Sequence, residues 1–271
     1  MIRSTDAAPH LERHAADSES VCQTSRRRNG EQARLRSVVC LGDSLVRGQV
    51  SIDFVEILRE RLGDDGFAFF NAGVNGDLAY NVLRRLDGVI ARQPDFVIVL
   101  VGTNDVNASL TSRMERSYRV WKRLPEIPSP EWYEANMRQI VTLLKEKTSA
   151  RIAVTSPPVL GEDLESLAND RIRSHSALLY NLAKQEGITY LPVHERHEDH
   201  LRRIGRAAGR PHDANSMLMW TSLFRHYVLR RDLETIASEN GFVLTTEGIH
   251  LNGPGATIVA EVVEAFLRDG A

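Results

Sequence analysis

The chain has 271 residues, of which 42% are hydrophobic and 26% are charged, and its formal net charge is −2. This length suits one large α/β domain. The near-neutral charge argues against a protein whose main partner is nucleic acid, since such proteins usually carry a strongly basic domain. The first residues lack the apolar core of a secretory signal, and no apolar stretch approaches the ~20 residues of a membrane-spanning helix, so we expect a soluble, cytoplasmic protein without an integral membrane segment.

Residues 1–36 are polar and charged and show no apolar periodicity. This composition predicts a flexible N-terminal extension. The cluster Arg26-Arg27-Arg28 lies among acidic residues, which favours a solvated tail over a nucleic-acid contact. The only cysteines are Cys22 and Cys40. Because Cys40 lies in an apolar run, where a buried thiol is the ordinary explanation, we expect no structural disulfide. The domain itself is predicted over residues 37–271.

From this boundary onward, short apolar runs alternate with helical patterns. The runs predicted as strands are Ser37–Leu41, Ala68–Asn71, Asp95–Val101, Arg151–Ser156 and Ile188–Val193. The third run is almost continuously apolar, as expected for a strand that is covered on both faces in a parallel sheet. The alternation implies right-handed crossovers. It therefore predicts a three-layer α/β/α sandwich around a parallel five-stranded sheet with the flavodoxin-like strand order 2-1-3-4-5.

Capping residues mark two long helices of the domain. Ser129 as N-cap and Pro130 at the first helical position predict a helix over about residues 131–147. A second helix is predicted over about residues 165–186, and Gly187 is the expected residue in the left-handed conformation that ends it. The apolar face of the first helix is expected to pack on the sheet.

Polar residues are expected at one edge of this sheet. Ser44 follows the first strand, Gly76 the second and Asn104 the third, and ligands bind beyond the carboxyl ends of parallel strands where the strand order reverses. His250 follows the last apolar run, Phe242–Leu244, just before a terminal helix. A serine becomes a strong nucleophile when a positioned base takes its proton. The backbone N–H groups of Ser44 and Gly76 and the amide of Asn104 could stabilise the resulting oxyanion. The pattern predicts acyl transfer.

The motifs Gly42-Asp43-Ser44-Leu45 and Gly102-Thr103-Asn104-Asp105, in order with Gly76 and His250, resemble the four sequence blocks of the SGNH/GDSL hydrolase family. The resemblance spans roughly residues 37–271. It supports the α/β/α sandwich, and it implies a serine hydrolase that needs neither a metal ion nor an organic cofactor.

The resemblance also implies roles for individual residues. Ser44 is the implied nucleophile and His250 the implied base. The implied oxyanion donors are Ser44, Gly76 and Asn104. Asp43 and Asp105 are the implied supporting acids. The family usually places an aspartate three residues before the histidine, where this chain has Glu247. We predict that Glu247 orients the imidazole despite its extra methylene, since glutamate fills this role in related triads. A backbone carbonyl and Asp213 are the alternatives.

Two segments are expected to form the walls of the pocket beside the serine. Residues 195–240 are too long for a simple connection, so they are predicted to contain a helix and to form an insertion that could act as a lid. The apolar band over residues 217–228 either packs a helix onto the core or forms a pocket wall. Residues 106–128 are the candidate for the opposite wall. The candidate pocket residues are Trp121, Met217, Trp220 and Phe224.

Three histidines at regular spacing, His194, His197 and His200, are interspersed with carboxylates. A spacing of three residues spreads them over a wide arc of a helix, and no pair has the four-residue step of a zinc-binding helix. We therefore predict a solvated or substrate-lining loop here and no metal site.

Taken together, the sequence predicts a serine esterase that hydrolyses a carboxylic ester through an acyl-enzyme on Ser44. The expected partner is a small-molecule ester with a short acyl group, and acetylated carbohydrates and lipids are candidate substrates. Two alternatives stay open, an acyltransferase that uses the same acyl-enzyme and a non-catalytic ligand-binding scaffold of the same fold. No feature of the sequence specifies an oligomeric state.

Overall fold

The computed structural model describes residues 27–28, 31–32, 34–213 and 217–269. It divides into two units, Met1–Leu35 and Arg36–Ala271. In the first unit, two short strands, Arg27–Arg28 and Glu31–Gln32, pair in antiparallel fashion. The rest of the predicted extension up to residue 33 lies outside the described residues, so its flexibility stays a prediction.

The second unit is built on parallel strands. The strands are β1 (Arg36–Gly42), β2 (Phe67–Gly73), β3 (Phe96–Leu100), β4 (Arg151–Thr155), β5 (Gly161–Asp163), β6 (Thr189–Leu191) and β7 (Ala208–Pro211). Five of them form one parallel sheet in the order β2-β1-β3-β4-β6, while β5 and β7 pair separately in antiparallel fashion. Counted along the chain within the large sheet, this is the order 2-1-3-4-5. The predicted fold class is confirmed.

Helices cover both faces of this sheet. They are α1 (Ser44–Arg47), α2 (Phe54–Leu62), α3 (Ala79–Arg84), α4 (Asp87–Ile90), α5 (Thr103–Ser109), α6 (Ser112–Trp121), α7 (Pro130–Lys147), α8 (Leu167–Glu186), α9 (Val193–Arg203), α10 (Met217–Tyr227), α11 (Leu233–Asn240) and α12 (Gly253–Arg268). Because successive residues of a strand face opposite sides, Val38 packs with α2 and α12 while Val39 packs with α3, α7 and α8. The sheet therefore lies between two apolar cores.

The first long helix begins, and the second ends, where its capping residue predicts. The Ser129 hydroxyl accepts a hydrogen bond from the Trp132 N–H at 3.1 Å, and Pro130 opens α7. Helix α8 begins at Leu167, after the N-cap Ser166, and ends at Gly187, whose φ of 66° is in the left-handed region. Among the described residues, no helix has both the length and the apolar character needed to cross a bilayer.

The segment predicted as an insertion is more structured than expected. It contains most of α9, strand β7 and the helices α10 and α11. The prediction of a loop around the three histidines is wrong, since they lie on α9, where Val193, His194, His197 and Leu201 form a buried stripe. The strongly charged sequence between these residues obscured that stripe.

Candidate active site

Ser44 is the first residue of α1, directly after β1. The Asp43 carboxylate caps this short helix by accepting a hydrogen bond from the Leu45 N–H at 2.9 Å. A Cβ at Gly42 would lie 1.9 Å from the carbonyl oxygen of Leu100, so only glycine lets β1 run this close to β3 before the turn. The turn places the Ser44 side chain, which is nearly buried, on the wall of a cavity.

His250 lies beside this serine. Its Nε2 is 3.2 Å from Ser44 Oγ, and its Nδ1 is 2.5 Å from Oε1 of Glu247. The same carboxylate oxygen accepts a hydrogen bond from the His250 backbone N–H at 3.2 Å. The longer glutamate side chain therefore folds back along its own loop and reaches both groups. The alternative acid, Asp213, accepts a hydrogen bond from the N–H of Leu218 instead.

Gly76 and Asn104 complete the group that the sequence places at this sheet edge. Gly76 has a φ of 73°, and a Cβ there would come within 2.0 Å of the Trp121 ring, so both backbone conformation and space require glycine. Asn104 lies in the first turn of α5. Its Nδ2 lies 3.1 Å from Oδ2 of Asp43 and 3.1 Å from the carbonyl oxygen of Asp77. The amide thus already has protein acceptors in this structure.

A tyrosine fixes the orientation of that amide. The Tyr118 hydroxyl donates to Oδ1 of Asn104 at 2.7 Å and accepts from Nδ2 of Asn107 at 3.2 Å. Oδ1 of Asn107 is 3.0 Å from Nε2 of His212. Sequence reasoning missed this chain of hydrogen bonds, because its members lie on three separate segments and only Asn104 belongs to a motif.

The cavity has a volume of about 560 Å³ and is lined by both Ser44 and His250. Of the four predicted pocket residues, Trp121 and Trp220 line it. Met217 and Phe224 do not line it, and they are 66% and 54% exposed. Met219 and Leu223, on the inner side of α10, line the cavity instead. Ser222 is the only buried residue of this helix. Helix α10 is therefore a pocket wall more than a core helix.

The comparisons with known proteins agree with this geometry. The model of the GDSL-like lipase/acylhydrolase family matches residues 40–258. The chain belongs to this family. Membership makes it a carboxylic ester hydrolase by class, and small-molecule esters are the substrates of that class. The comparison with curated protein sequences found no match.

Similar solved structures have the same fold at low sequence identity. The acetyl xylan esterase AlAXEase is 16% identical with a TM-score of 0.64, and the match covers 85% of this chain and 99% of that one. Axe2, an acetylxylan esterase from Geobacillus stearothermophilus, is 16% identical with a TM-score of 0.61 and coverages of 87% and 94%. LAE5, an alpha/beta hydrolase from the metagenome of Lake Arreo, Spain, is 17% identical with a TM-score of 0.60 and coverages of 86% and 95%.

The two acids of the GDSL-family motifs are buried. Burial raises the pKa of Asp43 to about 7 and that of Asp105 to about 8. The Asp105 carboxylate accepts a hydrogen bond from the N–H of Ala79 at 3.2 Å, which ties α5 to α3. Asp77, next to Gly76, pairs with Lys122 at 2.7 Å and with Arg85 at 2.8 Å. These acids connect the loops that carry the site.

The loop that carries His250 is held by Glu162, a residue of β5 that sequence reasoning missed. Its fully buried carboxylate accepts hydrogen bonds from the N–H groups of Val243, Leu244 and Thr245 at 2.7 to 3.0 Å and from the Thr245 hydroxyl at 3.2 Å. The Gly161 N–H also donates to the carbonyl oxygen of Gly248 at 2.7 Å. An acid inside the apolar run from Val159 to Leu164 is the signal that could have found it.

The three regularly spaced histidines lie outside this cavity lining. Nε2 of His194 is 3.1 Å from Glu198, and Nε2 of His197 is 3.2 Å from the carbonyl oxygen of Gly255. Burial lowers the pKa of His197 to about 3. Within the described ranges, no group of three or more His, Cys, Asp or Glu side chains is placed to hold a metal ion.

Proposed function

We propose that the protein is a serine esterase that cleaves its substrate through an acyl-enzyme on Ser44. His250 is the general base and acid, and Glu247 holds its imidazole. One observation carries the proposal: Ser44 Oγ is 3.2 Å from Nε2 of His250, whose Nδ1 is 2.5 Å from Glu247, and the serine and histidine share the wall of one cavity.

The reaction follows from this arrangement in two steps. The Ser44 oxygen bonds to the ester carbonyl carbon while its proton passes to Nε2 of His250, and the imidazolium then protonates the departing alcohol. In the second step a water molecule gives its proton to His250 and attacks the acyl-enzyme, and Ser44 recovers its proton as the acid leaves. Glu247 keeps the proton on Nδ1, so that Nε2 is free to accept one.

The oxyanion formed in both steps needs hydrogen-bond donors. The backbone N–H groups of Ser44 and Gly76 and the side-chain amide of Asn104 are the proposed donors. The hydrogen bond from Tyr118 to Oδ1 of Asn104 supports this role. Because it fixes the amide with Oδ1 toward Tyr118, the Nδ2 group faces the other way and can donate to the oxyanion. One of the two 3.1 Å bonds from Nδ2 to Asp43 and Asp77 would then be shared with the oxyanion.

The proposed substrate is an ester with a short acyl group, and acetylated carbohydrate is the leading class. Two fold relatives, AlAXEase and Axe2, are named as acetyl xylan esterases. The cavity combines aromatic faces from Trp121 and Trp220 with amides from Asn75 and Asn107. Such a wall suits a ligand with apolar faces and polar edges, as a sugar ring has.

Labelling with a fluorophosphonate ester tests the proposed mechanism, with intact-protein and peptide mass spectrometry as the readout. We expect one equivalent on Ser44 in the wild type, none in Ser44→Ala and much slower labelling in His250→Ala. Ser174→Ala, which removes a serine on the exposed side of α8, is the matched control and should label as the wild type does. Failure of the wild type to label would overturn the acyl-enzyme and leave the non-catalytic scaffold.

Acetate release from p-nitrophenyl acetate, with and without an added alcohol acceptor, separates hydrolysis from transfer. We expect free acetate in both conditions. An acetylated acceptor as the main product would favour the acyltransferase instead. The cytoplasmic location stays a prediction from the sequence.

A further inference from the structure

Among the described residues that line the catalytic cavity, one side chain carries a permanent charge. Arg113, on the first turn of α6, lines the cavity together with Ser44 and His250. None of the described lining residues is an aspartate or a glutamate. The guanidinium can therefore attract an anion to its part of the cavity wall, although the chain as a whole has a net charge of −2.

This guanidinium has no partner within the described part of the chain, whereas Arg119 and Arg85 each have one. Arg119, on the same helix, pairs with Glu115 at 3.6 Å, and Arg85, below the site, pairs with Asp77 at 2.8 Å. Neither Arg113 nor Arg116 forms a described hydrogen bond or ion pair. A solvated arginine is the ordinary explanation for an exposed position, but it does not explain why the free guanidinium is in the wall of the catalytic cavity.

The face of α6 that carries Arg113 continues beyond the cavity. Arg113, Arg116, Val120 and Trp121 line a second cleft along this helix, so one helical face bears two cations and an aromatic ring. The Trp121 ring is 59% exposed and packs directly over Gly76. A ligand whose ester group lies at Ser44 can therefore extend across Trp121 toward the two guanidinium groups.

We propose that Arg113 binds a carboxylate on the substrate, so that the preferred esters are acidic ones such as the acetyl ester of a sugar acid. The planar guanidinium offers two parallel N–H donors, which match the two oxygens of a carboxylate. Trp121 contacts the face of the ring that carries this group, and Arg116 adds positive charge one turn further along α6. The inference rests on the proposed esterase function and specifies its substrate class.

The test compares two substrates that differ in one group, the acetyl esters of methyl glucoside and of methyl glucuronoside, with acetate release as the readout. The wild type is expected to prefer the glucuronoside. In Arg113→Gln the ratio of kcat/KM for the acidic over the neutral ester should fall about 10- to 100-fold, mainly through KM, since a hydrogen-bonded charge pair is lost. Arg113→Lys should keep part of the preference. Raised ionic strength should weaken it in the wild type.

Arg119→Gln is the matched control, because it removes an arginine from the same exposed helix but on the side that pairs with Glu115. It should leave the substrate ratio as in the wild type. A second pair, p-nitrophenyl acetate and p-nitrophenyl hemisuccinate, places the carboxylate on the acyl side. An Arg113-dependent preference in either pair supports the proposal and identifies the half of the ester that carries the charge.

Equal kcat/KM for acidic and neutral esters in the wild type, or a preference that Arg113→Gln leaves intact, would overturn the proposal. Such a result would leave the esterase function standing, because p-nitrophenyl acetate would still be hydrolysed. If the fluorophosphonate ester failed to label Ser44 in the wild type, the proposed esterase function itself would be overturned. The two failures are therefore distinguishable.

Discussion

The two halves of the site reach the cavity by different routes. Ser44, Gly76 and Asn104 follow three adjacent parallel strands, so the sheet itself brings them to one edge. Glu247 and His250 lie on an irregular loop outside the large sheet, with a single bridge between Thr245 and Leu251. The first half is positioned by topology.

The second half is held mainly by hydrogen bonds to one buried side chain and to its neighbour in β5. Glu162 holds the beginning of the histidine loop through three backbone N–H groups and a hydroxyl, and Gly161 binds the carbonyl of Gly248. A loop fixed in this way depends on a few strong interactions, whereas the sheet edge depends on many weak ones. We therefore expect substitutions in the histidine loop to affect activity more than stability.

The largest effect is expected at Glu247. Glu247→Gln keeps the size of the side chain but removes the charge that holds Nδ1 of His250, and loss of this group in related triads lowers kcat by about 10,000- to 30,000-fold. Steady-state hydrolysis of p-nitrophenyl acetate measures the change. Glu247→Asp is the matched control, because it keeps the charge but shortens the reach, and it should retain more activity. Equal activity of the wild type and Glu247→Gln would mean that another group orients the imidazole.

The sheet-edge half should respond less strongly. Asn104→Ala removes one of three proposed oxyanion donors, and a loss of this kind lowers kcat by about 100- to 1,000-fold with little change in KM. Tyr118→Phe leaves the amide in place but frees its orientation, so we expect a smaller decrease in kcat. If Tyr118→Phe changed KM and left kcat intact, Tyr118 would be a wall of the pocket and would not position Asn104.

Glu162 tests whether the histidine loop is an independent unit. Glu162→Ala leaves three buried N–H groups without an acceptor and is expected to destabilise the protein by about 3 kcal/mol or more. Glu162→Gln keeps one acceptor oxygen, so the variant should fold. Its kcat should decrease, because the loop that carries His250 is held less firmly. Hydrogen exchange should then increase in residues 242–250 while the β1 to β3 strands keep their protection. Glu165→Gln, on the exposed side of the same segment, should change neither kcat nor the hydrogen exchange of residues 242–250.

This contrast also explains what the sequence could and could not predict. A Gly-Asp-Ser-Leu motif after one strand and a Gly-Thr-Asn-Asp motif after another are local signals, and the parallel topology brings them together. Glu162 belongs to no motif, and although an acid among apolar residues is a weak local signal, its role depends on hydrogen bonds to residues about 80 positions away. The inner face of α10 was also not predictable, since the apolar band from Met217 to Val228 runs around the helix and leaves its rotation undetermined.

The buried acids of the sheet edge are expected to change stability with pH and not to act in the chemical step. Burial raises the pKa of Asp105 to about 8, and the negative charge of neighbouring Asp43 acts in the same direction. In the unfolded chain an aspartate has a pKa of about 3.9. Between about pH 4 and pH 8, the folded protein therefore keeps a proton on Asp105 that the unfolded chain has released. The associated stabilisation is fully present below about pH 4 and is lost as the pH rises to about 8.

Urea unfolding between about pH 5 and pH 8 measures this loss, because the free energy of unfolding should fall with rising pH by at most about 1.4 kcal/mol per pH unit for each such group. Asp105→Asn keeps an oxygen that can accept from the Ala79 N–H but cannot titrate, so its profile should be flatter than that of the wild type. Asp199→Asn, an exposed acid on α9, should follow the wild type. If Asp105→Asn and the wild type fell in parallel, Asp105 would already be ionised in the folded protein, and the lysine and arginine around Asp77 would have to stabilise a second negative charge at the sheet edge.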